Sequence, residues 1–254
     1  MRRLAASEWL AVWELGLSQS PAQRTLTLLE AACPGASPED LARLSIGQRD
    51  ARLMNLREWT FGPKLVCLTT CPKCGERLEL TFNGADIRTL SPSQPSCNER
   101  EGKGKNDSLT LCSGDYEISF RLPSSINLAA VDETKEMAES RRLLLQQCLL
   151  KINHHGEEVS VEGLPTEVEE TVVKRMAKVD PQGDLHLSLS CPECRHEWLS
   201  AFDIATFFWI EIDAWAHRIL REVHILASAY GWQEADILAM SHWRRQYYLA
   251  MITG

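Results

Sequence analysis

The sequence predicts an α+β protein in which helical regions at both ends of the chain surround two short β-hairpins. Apolar residues recur at helical spacing in residues 1–62 and 205–254. In residues 63–84 and 184–204 they instead alternate with polar residues on either side of a tight turn. Residues 85–183 carry both patterns and are predicted to form an α+β insertion between the hairpins. The chain of 254 residues, 44% of them apolar, is long enough to bury a sizeable core.

The N-terminal region contains clear helix signals. Trp9 and Trp13 are four residues apart and therefore share one helix face. Ser45 followed by Gln48 has the form of a capping box, in which each side chain accepts a hydrogen bond from the other residue's backbone N–H. The buried row predicted for the helix that follows consists of Leu53, Leu56 and Trp59.

The insertion is predicted to contain a mobile linker at residues 91–109, which are polar and rich in Ser, Pro, Gly and Lys. Alternating apolar residues at 116, 118 and 120 predict a strand. Helical spacing predicts two helices, over residues 134–152 and 165–178. The insertion therefore carries helical and strand elements of its own.

The C-terminal region is predicted to be one long helix followed by two short ones. The apolar pattern is helical from Ile204 to Tyr230, which is roughly seven turns at 3.6 residues each. Gly231 is placed to end this helix, because glycine readily adopts the positive φ that closes a helix. Ser241 is a suitable N-cap for the last helix.

Each predicted hairpin carries a Cys-Pro-x-Cys sequence at its turn. The first, CPKC, supplies Cys71 and Cys74, and the second, CPEC, supplies Cys191 and Cys194. Two such knuckles side by side present four thiolates to one ion, which is the tetrahedral ligand set of a structural zinc site. The pattern therefore predicts one structural zinc ion in a four-cysteine zinc ribbon that the insertion splits in two. A long insertion is acceptable because closure entropy grows slowly with loop length.

Several alternatives remain open at this site. Gly75 follows the first cysteine pair, where a positive φ is often needed, but Arg195 takes this place after the second pair. His196 and Cys67 are further candidate ligands, and a competing interpretation places the four thiols in unrelated turns. A catalytic metal is disfavoured, because four thiolates leave no open position for water.

Composition and motifs argue against several function classes. The net charge of −8 and the pI of about 5.4 disfavour nucleic-acid binding. The sequence has no Walker loop, GxGxxG or GxSxG motif, so neither an enzyme nor a small-molecule substrate is predicted. Arg2 and Arg3 are typical of the start of a signal peptide, but Glu8 and Glu14 interrupt the apolar run. The expected location is cytoplasmic, with no membrane segment.

Two groups of titratable residues are interpreted as ordinary polar surface. His154 and His155 are adjacent in the sequence, and adjacent side chains point apart in most backbones. A polar surface turn is therefore favoured over a pair of metal ligands. Asp213 and His217 lie at helical neighbour spacing on the long helix, where a polar face is favoured over a catalytic one.

The region after the second knuckle carries a resemblance to a known family. It reads CPECRHEWLSAFDIATFFWIEIDAWAHRILREVHILASAYGW, and further matching segments upstream read LMNLREWTFGPKLVCLTTCPKCGERLELTF and YEISFRLPSSINLAAV. Over most of its length the chain resembles the baseplate proteins related to the hub assembly chaperone of T-even phages. Such proteins occur in contractile phage tails and in phage-like extracellular injection systems. The resemblance implies a non-enzymatic assembly factor or a minor structural component of the baseplate or hub, which the assembled particle either retains or releases.

The aromatic C-terminal helices are the predicted contact region for baseplate or hub partners, because aromatic and arginine side chains dominate docking surfaces. At least half of the predicted contact residues are expected to be buried in the monomer, with Arg244 and Tyr248 exposed. A zinc-ribbon nucleic-acid-binding factor is the alternative function, and a metallo-hydrolase is a third hypothesis. The predicted partner-binding residues are Trp209, Trp215, Trp232, Trp243, Arg244 and Tyr248.

Overall fold

A computed structural model describes residues 1–88, 108–129, 131 and 137–253 of the chain. Most of the predicted mobile linker, residues 91–107, lies outside these residues. In the part of the chain that is described, the helices are α1 (Ala6–Gly16), α2 (Pro21–Ala32), α3 (Pro38–Ala42), α4 (Ile46–Phe61), α5 (Gly84–Ile87), α6 (Ser125–Ala129), α7 (Met137–Cys148), α8 (Thr166–Val179), α9 (Ile204–Tyr230), α10 (Glu234–Ala239) and α11 (His242–Thr253).

The strands form two separate antiparallel hairpins and one antiparallel sheet of four strands, in the order β3-β4-β5-β6. The hairpins are β1–β2 and β7–β8. Mixed helix and sheet of this kind confirms the predicted α+β class. The strands are β1 (Lys64–Thr70), β2 (Arg77–Asn83), β3 (Leu109–Ser113), β4 (Tyr116–Phe120), β5 (Leu149–His154), β6 (Glu157–Glu158), β7 (His186–Ser190) and β8 (Glu197–Ala201).

The chain divides into two compact units. The first combines the two ends of the chain, residues 1–37 and 204–254, and the second contains residues 38–203. Helices α3 and α4, which the sequence pattern groups with the N-terminal region 1–62, lie in the second unit together with all eight described strands. The first unit is therefore helical, and the second contains both hairpins and the insertion.

In the first unit, α1 and α2 pack against the long helix α9. The Trp9 ring meets the Phe208 ring edge-on, with 5.7 Å between their centroids, and both side chains are buried. Trp13 Nε1 donates a hydrogen bond to Asp213 Oδ1 over 2.9 Å, which satisfies the indole N–H of a buried ring. The predicted pairing of Trp9 and Trp13 on one buried face is confirmed.

Helices α10 and α11 pack against the C-terminal half of α9. Arg245 Nε donates to Glu222 Oε2 over 3.0 Å, and both charged groups are buried. Gln246 Nε2 donates to the other oxygen of Glu222 over 2.8 Å, and Arg245 also donates to the Met240 carbonyl over 2.6 Å. This network fixes α11 on α9, because separating the helices would leave a buried charge without its partner.

The predicted boundaries of the C-terminal helices are confirmed. Helix α9 runs from Ile204 to Tyr230, and Gly231 ends it at a φ of 66°. Ser241 Oγ accepts a hydrogen bond from the backbone N–H of Arg244, as expected of an N-cap. Within the described ranges, no helix combines the length and the apolar character needed to cross a membrane.

The insertion in the second unit has its own core, formed between the four-stranded sheet and helices α7 and α8. Ile118 and Phe120 of β4, Ile152 of β5 and Val172 of α8 are almost completely buried. The predicted strand at 116–120 and the predicted helix at 165–178 are confirmed.

The predicted helix over residues 134–152 is wrong in its last turn, because the described helix ends at Cys148. Residues 149–152 belong to β5, which pairs with β4. Leu149 lies opposite Phe120, and Ile152 lies opposite Ile118. A register shift at Ser119 and Phe120 allows both apolar pairs to face the core. Pairing with β4 is a tertiary interaction, which the local apolar spacing does not reveal.

Helix α4 begins with the predicted capping box, in which Ser45 Oγ accepts from the Gln48 N–H over 3.2 Å. Leu53 and Leu56 are fully buried as predicted, but Trp59 is 40% exposed. The prediction for Trp59 is wrong because six residues separate it from Leu53, which is a rotation of about 240° around the helix axis.

Helix α4 also buries an acid. Asp50 is 7% exposed, and Arg49 Nε donates to its Oδ1 over 2.7 Å. Burial raises the pKa of Asp50 to about 6, although the Arg49 guanidinium opposes this effect. The carboxylates of Asp203 and Asp180 contribute to the increase. The ionised form of Asp50 is therefore less favourable in the folded protein than in the unfolded chain.

The substitution Asp50→Asn tests this effect through its pH dependence. At about pH 3 the carboxyl is protonated in both states, but as the pH rises towards 7 the unfolded chain ionises first and the wild-type protein loses stability. The free energy of unfolding of the wild type, minus that of the variant, should fall by about 3 kcal/mol over this range. Urea unfolding at successive pH values measures the difference, and a constant difference would contradict the prediction.

Candidate metal centre

The two Cys-Pro-x-Cys sequences form the tips of the two hairpins, as predicted. The first tip joins β1 to β2 and the second joins β7 to β8. Both tips bury their first cysteine, since Cys71 and Cys191 are each 1% exposed. Cys194 is half-buried, and Cys74 is exposed.

The backbone has the same conformation at both tips. The N–H of Gly75 donates to the Cys71 carbonyl over 3.0 Å, and the N–H of Arg195 donates to the Cys191 carbonyl over 2.9 Å. Gly75 has a φ of 77° and Arg195 a φ of 55°, so both residues adopt the left-handed backbone conformation. Arg195 therefore completes the knuckle in the place where glycine is usual, although an L-residue adopts this backbone at a cost.

The four sulfur atoms lie together. Cys71 Sγ is 3.7 Å from Cys194 Sγ, and Cys74 Sγ is 3.6 Å from Cys191 Sγ. All four sulfurs lie within 4.8 Å of one another. These separations are far too long for a disulfide bond. A tetrahedral ion with metal–sulfur distances of about 2.3 Å needs sulfurs about 3.8 Å apart, so the cluster has the dimensions of such a site.

The hydrogen bonds at the first tip change the acidity of its thiols. Burial opposes ionisation of Cys71, but hydrogen bonds from the backbone N–H groups of Cys74 and Lys73 and from the thiols of Cys74 and Cys194 together lower the pKa of the Cys71 thiol to about 7. The backbone N–H of Glu76 lowers the pKa of Cys74, but loss of solvation and the three neighbouring sulfurs together raise it to about 12. Four thiolates this close need a cation to offset their repulsion.

The two hairpins also meet away from their tips. The Phe82 ring at the end of β2 contacts the Phe202 ring edge-on, with 5.8 Å between centroids. His196 and Cys67, the two further candidate ligands, lie outside the cysteine cluster. Among the described residues, this cluster contains only the four cysteines. His196 stacks on Trp198, and Cys67 pairs with Leu80 within the β1–β2 ladder.

The predicted partner-binding residues do not form one surface. Trp209 is half-buried, and its ring lies against Gly16, where an added Cβ would come within 2.1 Å of the indole. Arg24 stacks over the same ring, 4.7 Å from its centroid, and donates to the Gly16 carbonyl. Trp209 therefore contributes to packing inside the first unit. Trp215 is also half-buried.

Trp232 and Tyr248 form an aromatic cluster with Tyr230. The rings of Tyr230 and Trp232 stack with 4.5 Å between centroids, and Tyr248 meets Trp232 edge-on at 4.8 Å. Tyr248 is half-buried by these contacts, so the expectation that it is exposed is wrong. None of the six predicted residues is fully buried, which also contradicts the expected burial of at least half of them.

Helix α11 presents an exposed apolar row, which we name the outer stripe and define as Trp243, Tyr247 and Met251. These side chains are 76%, 70% and 69% exposed. Arg244, exposed as expected, lies beside the stripe. Tyr247 and Met251 are absent from the predicted partner-binding set. Their positions, four and eight residues after Trp243, place them on the same helix face and provide the signal that finds them.

The fold and the cysteine cluster define an α+β protein in which the tips of two hairpins bring four cysteines together. The chain belongs to the family described as T4 bacteriophage base plate protein, whose family model matches residues 15–209. No curated protein and no solved structure matches the chain. Family membership confirms the resemblance to baseplate proteins and assigns the chain a structural or assembly role related to the phage baseplate.

The matched range includes both hairpin tips, the insertion and most of the helical N-terminal region. It ends at Trp209, within the second turn of α9. The rest of α9 and helices α10 and α11, including the outer stripe, follow the matched range. The family match therefore does not extend to the outer stripe.

Substitutions at Gly75 and Arg195 test the cost of the left-handed backbone conformation at the two hairpin tips. Gly75→Ala should lower the free energy of unfolding by roughly 1–2 kcal/mol, because an added Cβ meets no atom within 4 Å and only the left-handed backbone is strained. Arg195→Gly should raise the free energy of unfolding by a similar amount, since it removes that strain. Urea unfolding of both variants measures the changes, and a shift in the same direction for both would contradict the shared geometry.

Proposed function

We propose that the chain is a non-enzymatic assembly factor or minor structural component of the baseplate or hub of a contractile phage tail or phage-like injection system. The observation that carries the proposal is its membership of the baseplate family over residues 15–209. A closed four-thiol cluster supports the non-enzymatic part, because such a site has no open position for substrate or water.

We propose further that Cys71, Cys74, Cys191 and Cys194 hold one structural zinc ion. The sulfur separations and the shared knuckle backbone support this assignment. Zinc is the usual ion for four thiolates in tetrahedral geometry, and it would offset their mutual repulsion. When bound, it would join hairpin β1–β2 to hairpin β7–β8 and so hold the two ends of the insertion together.

Removal of a ligand tests the zinc assignment. Purified wild-type protein should contain one tightly bound zinc ion that Cys71→Ser abolishes, with a large loss of thermal stability, because metal binding is coupled to folding. Cys112→Ser is the matched control, since Cys112 is an exposed cysteine outside the cluster, and it should retain the ion. Metal analysis and thermal unfolding, each with and without a chelator, provide the readouts. Equal metal content in both variants would contradict the assignment.

Docking on a baseplate partner is proposed through the outer stripe and the adjacent Arg244. A row of three exposed apolar side chains on one helix face is suited to a groove or to another helix. Residues 237–254 contain no Asp or Glu, although the whole chain has a charge of −8. A partner with acidic residues around an apolar groove would complement this local charge.

The packing of α11 also supports docking. The buried contacts of Arg245 and Gln246 with Glu222 hold the opposite face of the helix on α9. A helix already ordered before binding loses little conformational entropy in the complex. Trp232 and Tyr248 would then support the docking helix through the contact between their rings, and Trp243 would contact the partner directly. Trp209, which packs against α1 and α2, would have no direct part in docking.

The experiment is affinity purification of the tagged chain from its native host, with mass spectrometry of the captured proteins and of finished particles. The double variant Trp243→Ser, Tyr247→Ser should recover at least about tenfold less of the baseplate or hub proteins than the wild type. Leu15→Ser is the control, because Leu15 is a 59% exposed apolar residue elsewhere in the same unit. It should leave the recovery unchanged.

The outcomes separate the proposals. Baseplate proteins in the purification and no chain in particles would identify an assembly factor, and presence in both would identify a retained component. Equal recovery by the double variant would contradict docking through the outer stripe while leaving the baseplate role standing. Recovery of no tail protein, together with binding to DNA or RNA at low salt, would overturn the proposal in favour of a nucleic-acid-binding factor.

A further inference from the structure

A second group of metal-ligating side chains lies at one end of the four-stranded sheet. Asp115, His154 and His155 each offer one ligand atom, and these three atoms lie within 4.8 Å of one another. The group is separate from the four cysteines and plays no part in the proposed docking. The sequence interpretation of His154 and His155 as side chains that point apart is not what the structure shows, since their ring centroids are 4.4 Å apart.

Two tight turns produce this arrangement. Asp115 belongs to the turn between β3 and β4, where Gly114 has a φ of 59°. His155 and Gly156 form the turn between β5 and β6, with φ values of 52° and 85°. The N–H of His155 donates to the Asp115 carbonyl over 3.2 Å, which joins the two turns.

The left-handed backbone of His155 explains why neighbouring imidazoles meet. Successive residues in an extended strand point to opposite faces, but the positive φ at His155 turns its side chain back towards the ring of His154. His155 Nε2 lies 3.5 Å from Asp115 Oδ2. The Tyr116 ring stacks on the His154 ring, with 4.2 Å between ring centroids and an angle of 17° between the planes. This contact holds the His154 ring beside the turn.

The charges around the group favour a cation. Glu157 of β6 pairs with His154 of β5. In the neighbouring position of β5, Asn153 pairs with Glu117 of β4. Nearby carboxylates attract a divalent ion to the end of the sheet. In a tetrahedral site with bonds of about 2.1 Å, neighbouring ligand atoms lie about 3.4 Å apart. The 3.5 Å between His155 Nε2 and Asp115 Oδ2 is close to this value, and rotation of the side chains can bring His154 to a similar distance.

We propose that Asp115, His154 and His155 bind a divalent transition-metal ion of the zinc class. Two imidazoles and one carboxylate are the ligand set that such borderline ions prefer. Three protein ligands leave at least one coordination position for water or for a group from another molecule. This site is therefore open and exposed, whereas the four-cysteine cluster is closed.

Another His–Asp pair in the chain provides the matched control. His217 Nδ1 lies 3.6 Å from Asp213 Oδ2, a separation close to that of His155 and Asp115. Within the described residues, this pair belongs to no group of three ligands. A general affinity of exposed His–Asp pairs for metal would therefore appear at both places, but a built site would appear only at the end of the sheet.

The test is zinc titration of the full-length protein, after purification with its tightly bound metal, by calorimetry and native mass spectrometry. The wild type should take up one additional zinc ion. His155→Asn should weaken this uptake at least about tenfold, since even loss of an indirect partner of a metal ligand costs that much. Asparagine tolerates the left-handed backbone, so the turn should be retained. Asp115→Asn should have the same effect, and His217→Asn should have none.

All of these variants keep the four cysteines. The comparison of their uptake of the additional zinc ion is therefore independent of whether those cysteines hold zinc. Loss of the additional ion in His155→Asn and Asp115→Asn, but not in His217→Asn, would support the site. Uptake by His155→Asn equal to that of the wild type, a similar loss in His217→Asn, or no additional ion in the wild type would each overturn it.

Discussion

The second unit depends on the convergence of two hairpin tips that are far apart in the chain. Cys71 and Cys194 are separated by 123 positions, yet their sulfurs lie 3.7 Å apart. Closing so long a loop costs only about 0.6 kcal/mol more than closing one of half its length, so a few strong interactions at the junction suffice. Four thiols that share the proposed cation would supply them, and the Phe82–Phe202 contact adds a second point of attachment. The insertion can then fold around its own core between fixed ends.

The first unit is stabilised differently, by apolar packing and one buried ionic network along α9. The N-terminal helices bury Trp9 and Trp13 against this helix, and Arg245 with Glu222 holds α11 at its other end. A buried ion pair contributes less to net stability than to a defined arrangement, because each partner is costly to bury alone. The defined position of α11 leaves its opposite face, the outer stripe, exposed. In a baseplate-family protein, an ordered and exposed aromatic face suits a role based on contacts between proteins.

The sequence reveals the elements whose signals are local. The α9 boundaries, the Gly231 stop and the capping box of Ser45 follow from apolar spacing, from backbone freedom at glycine and from hydrogen bonds between near neighbours. The local signal fails where a distant strand decides the outcome, and residues 149–152 join β5 because Phe120 and Ile118 offer pairing partners. The exposure of Trp59 is different, because the helical spacing in the sequence already turns it away from Leu53.

The same division holds for the candidate sites. The spacing of the cysteines determined by itself which four thiols are candidates to share one ion, because a knuckle needs two cysteines on one short turn and the chain has two such turns. The tertiary structure decided that these turns meet, that Arg195 accepts the left-handed backbone and that His154, His155 and Asp115 come together. It also decided which aromatic residues pack inside the first unit and which remain outside. Burial and contact between distant turns arise from packing of the whole chain, so a local pattern cannot encode them.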